Sequence, residues 1–280
     1  MELKYRIVNV FAREGRLTGN PLCVFEDGAS LDGETMQALA RQFNLSETTF
    51  ILPSQKATAR VRIFTPAYEL PFAGHPTLGT AHVVRSLKGD GDAVALEMKA
   101  GIIPVTAKGD LWTLQAVEPR SRAMELVRAE LEEILGLEPG DVGEWPLWVS
   151  TGREQLIVPL TSVDAVRRAT PRADAFSRLK SVDGQSMAYV FHDAGDAVGT
   201  VESRFFFPNG PAILEDPATG SACANLGGWY TVVRPRTDIR REVSQGEKVG
   251  RPSTLYLDVT RGAIHVGGNV IELGRGVIAL

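Results

Sequence analysis

The chain has 280 residues, 44% of them hydrophobic and 23% charged, with a formal net charge of −4. That length carries a large core and reads as two domains or lobes, while the small negative charge argues against nucleic acid as a partner. No apolar run approaches the roughly 20 residues that cross a bilayer, residues 1–6 lack the apolar core of a signal peptide, and Cys23 and Cys223 form neither a disulfide framework nor a Cys-x-x-Cys metal site. The expectation is a cytoplasmic protein with reduced thiols and no membrane partner.

Strands are predicted at 4–10 and 22–26, separated by a turn-rich loop over 13–21. Asp32 can cap a helix whose apolar face is Met36, Leu39, Ala40 and Phe43. Strands follow at 48–52 and 58–64. Pro76 suits the first turn of a helix, where its missing N–H costs nothing; that helix buries Leu78, Ala81, Val83 and Val84 and ends by Gly89. Three strands come next, with Lys108, Gly109 and Asp110 at a hairpin tip. The segment 117–122, which contains Pro119, is the best internal boundary. Beyond it the pattern predicts a helix over 124–135 stopped by Gly136, strands at 146–149 and 155–159, and helices near 163–169 and 173–179. Strands at 187–192 and 199–206 precede an apolar helix over 219–232. Separate strands near 254–259, 263–266 and 270–273 close the chain, punctuated by Gly262 and by Gly267 and Gly268.

One pattern occurs twice. Arg62, Phe64 and Pro66 lead into Gly74, His75 and Pro76, and Arg204, Phe206 and Pro208 lead into Asp216, Gly220 and Ser221. In both copies an Arg-x-Phe-x-Pro strand end runs into a Gly-rich turn that opens an apolar helix, a sign of two related halves. Helix starts attract anions through their free N–H groups and the helix dipole. The N–H groups of Gly220 and Ala222, the Ser221 hydroxyl and Gly74 are therefore candidate partners for a substrate carboxylate. A plain helix cap at Ser221 is the competing account, and a simple turn is the competing account of Asp216.

Glu47 follows Asn44, Leu45 and Ser46, between an apolar helix and an apolar strand. Partial desolvation there raises a carboxylate toward the range useful for proton transfer, whereas an arbitrary Glu is more often an exposed surface group. His75, next to a helix start, reads as a polar substrate contact or a satisfied structural histidine. Cys23 lies in an apolar strand and Cys223 among alanines, ordinary core placements. The four histidines are scattered without ligand spacing, so no metal is expected, and neither a Gly-x-Gly-x-x-Gly nor a phosphate loop calls for a cofactor.

The segments Val8–Phe11 in number order 8–11, 19–21, 44–48, 64–66, 69–77, 150–152, 215–221, 245–246 and 250–253 together resemble the phenazine-biosynthesis PhzF-like family over essentially the full length. The resemblance implies an α+β fold like that of diaminopimelate epimerase: two pseudo-symmetric lobes, each a curved, mostly antiparallel sheet or barrel wrapped around a central helix. The lobes would cover 1–118, completed by about 268–280, and 119–267. It further implies a cofactor-independent isomerase acting on a small carboxylate-bearing substrate, usually as a homodimer. Glu47 would shuttle the proton, His75 and Asp216 would assist, and Ser46, Gly74, Gly220, Ser221 and Ala222 would bind substrate. The family's named member acts on trans-2,3-dihydro-3-hydroxyanthranilate. Racemases of this fold use two facing thiols, which this chain does not offer beside Gly74. An epimerase or racemase, and a binding relative without turnover, remain the alternatives.

Overall fold

Pro76 and Gly89 bracket a helix over Gly74–Lys88, with Gly89 in the left-handed conformation at φ 68° and its N–H on the Arg85 carbonyl. In this computed structural model, which describes residues 1–89, 91–195, 199–235 and 238–280, that helix organises the first of two units. The first unit is Met1–Gln115 with Gly267–Leu280. Its elements are β1 (Glu2–Val10), β2 (Asn20–Phe25), α1 (Gly33–Phe43), β3 (Thr48–Leu52), β4 (Ala59–Phe64), β5 (Glu69–Leu70), α2 (Gly74–Lys88), β6 (Ala93–Met98), β7 (Gly101–Lys108) and β8 (Leu111–Gln115). The second unit, Ala116–Val266, holds β9 (Arg120–Ala123), α3 (Arg128–Leu135), β10 (Leu147–Ser150), β11 (Glu154–Pro159), α4 (Val163–Arg168), α5 (Ala173–Phe176), β12 (Ala188–Asp193), β13 (Thr200–Asn209), β14 (Ala212–Asp216), α6 (Gly220–Val233), β15 (Ile239–Gln245) and β16 (Ser253–Thr260). The last strand, β17 (Ala263–Ala279), begins in the second unit and supplies the end of the first.

The first unit is a closed barrel. β1 pairs antiparallel with β2, β2 parallel with β3, β3 antiparallel with β4, β4 parallel with β6, and β6, β7 and β8 form an antiparallel meander. β17 joins β8 to β1 and completes the ring. Closure removes the exposed sheet edges that would otherwise recruit other strands. α2 runs inside, in contact with β1, β2, β3, β4, β6, β7 and β8. The approach is close: a Cβ at Gly79 would come within 2.7 Å of Leu22 and 2.9 Å of Val10. α1 starts at Asp32, whose carboxylate accepts from the Thr35 N–H, and buries Met36, Leu39 and Ala40 in a cluster with Phe25, Phe50 and Phe64.

The second unit repeats the same succession. β10 pairs antiparallel with β11, β11 parallel with β12, β12 antiparallel with β13, β13 parallel with β15, and β15 antiparallel with β16. β14 folds back on the far end of β13 as β5 does on β4. α6 packs on β9, β10, β11 and β16. Gly227 and Gly228 permit the contact, since a Cβ would sit 2.6 Å from Ile264 at one and 2.8 Å from Val149 at the other. The α+β architecture is thus present, with a barrel-like sheet packed on its own helix in each unit. Among the described residues no helix is long and apolar enough to cross a membrane.

Several elements differ from the sequence-based expectation. The helix anticipated over 124–135 begins only at Arg128, because Glu130 folds back to accept the Val127 N–H and fixes the start there. Part of 117–122 is strand β9, paired with β10. Residues 208–214 hold the end of β13, a turn at Gly210 and Pro211 and the start of β14, and β15 went unpredicted. The three short C-terminal strands include one continuous strand, β17, that runs straight through Gly267 and Gly268. Those glycines do not break it. They admit close neighbours, Trp112 and Thr113 at one and Phe11 at the other.

The duplicated Arg-x-Phe-x-Pro has a structural task. Arg62 grips Glu69 with two hydrogen bonds of 2.8 and 2.9 Å and lies over Phe64; Arg204 grips Glu215 at 2.6 and 3.1 Å and lies over Phe206. Each arginine locks the short hairpin that leads into the helix start.

Candidate active site

In the first unit, α1 ends at Asn44 in the left-handed region, at φ 52°. That reversal places Ser46 and Glu47 in the short connection ahead of β3. Glu47 is mostly buried, whereas Ser46 is exposed. His75 is the second residue of α2 and is buried. The two meet: His75 Nε2 lies 3.5 Å from Glu47 Oε2. Burial pushes the His75 imidazole down to about 3, so the ring is neutral, and a backbone hydrogen bond at Pro21 opposes that only partly. Proline has no N–H, so its carbonyl must accept from the imidazole. Nε2 makes no hydrogen bond of its own among the described residues, which assigns the ring proton to Nδ1 and leaves the Nε2 lone pair facing the carboxyl group. A carboxyl and a bare imidazole nitrogen in contact can hold one proton between them. Beside them, the first intrahelical bond of α2 runs from Thr77 N–H to the Ala73 carbonyl, so the N–H groups of Gly74 and His75 have no helical acceptor.

A neutral buried histidine has a consequence for stability. Unfolded, His75 takes a proton near its ordinary 6.5; folded, it resists protonation until about 3. The unfolded chain therefore binds the extra proton, and this contribution is complete above about 6.5 and lost as the pH falls toward 3. Each pKa unit corresponds to roughly 1.4 kcal/mol. Thermal unfolding followed downward from neutral pH is expected to show a steeper fall in the wild type than in His75→Gln. Parallel curves would contradict the neutral assignment.

In the second unit Asp216 ends β14, and its carboxylate accepts the hydroxyl of Thr219. Thr219, not Ser221, is the cap residue of α6. Gln245 fixes this corner: its Nε2 donates to the Asp216 carbonyl and to Thr219 Oγ1, and its Oε1 accepts the Thr219 N–H. The first intrahelical bond is Cys223 N–H to Thr219 O, which leaves the N–H groups of Gly220, Ser221 and Ala222 ahead of it. Ser221 is the second residue of its helix, as His75 is of α2.

Two polar residues behind Ser221 escaped the sequence reading. Asn225 and Gln155 are fully buried, hydrogen-bonded to each other, and Gln155 reaches Ser221 Oγ at 3.0 Å. The available signal was Asn225 alone, a single amide inside the apolar run 222–233. The thiols behave as core atoms. Cys23 and Cys223 are buried, and burial pushes both well above the ordinary thiol range, the opposite of what a thiolate acid/base needs.

The chain as a whole is similar to known proteins. A model of the family described as phenazine biosynthesis-like protein matches residues 8–276. The chain belongs to that family. It is 37% identical to an uncharacterized isomerase of Pasteurella multocida, over 97% of this chain and 92% of that protein. It is 35% identical to the trans-2,3-dihydro-3-hydroxyanthranilate isomerase of Pseudomonas aeruginosa, over 98% of each. A PhzF-family crystal structure from Bacillus anthracis superimposes with a TM-score of 0.87 over the whole of both chains at 24% identity, which speaks to the fold.

Proposed function

We propose that this chain is an isomerase that moves a proton on a small, carboxylate-bearing, unsaturated substrate without a cofactor, and that Glu47 carries the proton. The observation behind this reading is the 3.5 Å contact between Glu47 and a neutral His75 at the start of α2. A carboxyl group that gives and takes a proton at nearly fixed position suits general acid–base catalysis. The Glu47 carboxylate removes a proton from carbon next to the activating group, the electron pair moves along the conjugated frame, and the same carboxyl, whose proton exchanges with water, delivers a proton at another carbon. The double bonds shift and nothing is oxidised or reduced. His75 and Asp216 hold and polarise the substrate, and Ser46, Gly74, Gly220, Ser221 and Ala222 bind it. Free helix N–H groups suit a carboxylate.

The name of the Pseudomonas aeruginosa relative makes trans-2,3-dihydro-3-hydroxyanthranilate the first compound to try. Incubation in deuterium oxide is expected to give double-bond migration with deuterium at the carbon that gains the proton. Inversion at one carbon without migration would replace this reading with an epimerase. No exchange with any small cyclic or amino carboxylate would favour a binding protein.

A further inference from the structure

The amide pair behind Ser221 has a polarity that can be read without ambiguity. The Thr151 N–H and hydroxyl donate to Asn225 Oδ1, at 2.7 and 2.8 Å. A backbone N–H can only donate and a backbone carbonyl only accept. Asn225 Nδ2 must then face the other way, and it donates to the Arg153 carbonyl at 2.9 Å and to Gln155 Oε1 at 2.8 Å. With its oxygen occupied, Gln155 turns Nε2 to Ser221 Oγ at 3.0 Å. Asn225 and Gln155 are buried to 0% and 1% exposure, so water does not scramble the order. Every link between the turn at Thr151 and the start of α6 is fixed in direction.

We infer that Gln155 and Asn225 are positioning residues that fill one lone pair of Ser221 Oγ and leave its O–H to be donated, so that the substrate atom this O–H serves is an acceptor such as a carboxylate oxygen. This rests on the proposed function above and specifies the chemistry of its binding residues. The Ser221 oxygen already accepts a hydrogen bond from Gln155, and among the described residues its own O–H has no acceptor. Buried amide relays of this kind lose little when a ligand binds, because their direction is set beforehand.

The test is binding of anthranilate by calorimetry, with aniline as a control that lacks the acceptor. Wild type is expected to bind anthranilate and not aniline. Gln155→Glu keeps the shape but, once ionised, offers Ser221 only an acceptor and draws its proton inward. Its affinity for anthranilate should fall roughly ten- to hundred-fold relative to wild type as the pH rises through the ionisation of the new carboxyl. Ser221→Ala should lose a similar factor at every pH, and Gln155→Glu added to it should cost nothing further. Where circular dichroism shows that Gln155→Glu does not fold, Asn225→Asp carries the test, since it forces Gln155 to turn over and present oxygen to Ser221. Affinity equal to wild type across the pH range, or losses that add, would overturn the relay while leaving the proposed reaction standing. A wild type that binds no carboxylate probe would overturn both.

Discussion

Glu47→Gln is expected to lower kcat by roughly a thousand-fold while KM and the melting temperature stay near wild type. The amide keeps the shape of the carboxyl and its NH₂ can still donate to the His75 Nε2 lone pair, 3.5 Å away in the wild type. What it cannot do is accept a proton from carbon and return it. Steady-state kinetics with the dihydro-hydroxyanthranilate substrate, together with deuterium exchange, make the check. Near-normal turnover in this variant would remove Glu47 from the mechanism, and a loss confined to KM would reduce it to a binding residue.

Arg204→Ala is expected to destabilise the second unit by about 3–5 kcal/mol. Arg204 and Glu215 are only 13% and 8% exposed, so truncating the arginine strands a buried carboxylate. The same guanidinium donates to the carbonyls of Val166, Arg167 and Ala169 at the end of α4, and these lose their donor as well. Its counterpart is less exposed to this penalty: after Arg62→Ala, Glu69 keeps Lys99 at 2.7 Å and a cost nearer 1 kcal/mol is expected. Chemical denaturation of the two variants side by side measures the difference. Equal losses would show that the repeat bears the same load in both units.

Helical punctuation was the most legible part of this chain. Asp32, Pro76, Gly89 and Gly136 each do at a helix end what their backbone chemistry dictates. Strands were legible where apolar residues alternate or run together. β15 reads Ile-Arg-Arg-Glu-Val-Ser-Gln, and its charged Arg241 finds its ion-pair partner in Asp193, far earlier in the chain. β5 and β14 are short and form because an arginine on the neighbouring strand binds their glutamate, which local propensity does not record. At the candidate site Glu47 and His75 were legible as individuals, and the fold supplied their contact. Gln155 and Asn225 were not, since an amide announces no chemistry until its partners are known.

β17 has a consequence for how the protein is made. Residues 267–280, translated after the whole of the second unit, are the stave that joins β8 to β1. Until they emerge, the first barrel is an open sheet with two unpaired edges, the condition under which nascent chains associate wrongly. Ala116–Val266, by contrast, is one uninterrupted stretch. Domains usually mature from the N-terminus onward during synthesis. Here the order is reversed: the half translated second is complete first, and the half translated first waits for a segment made after it.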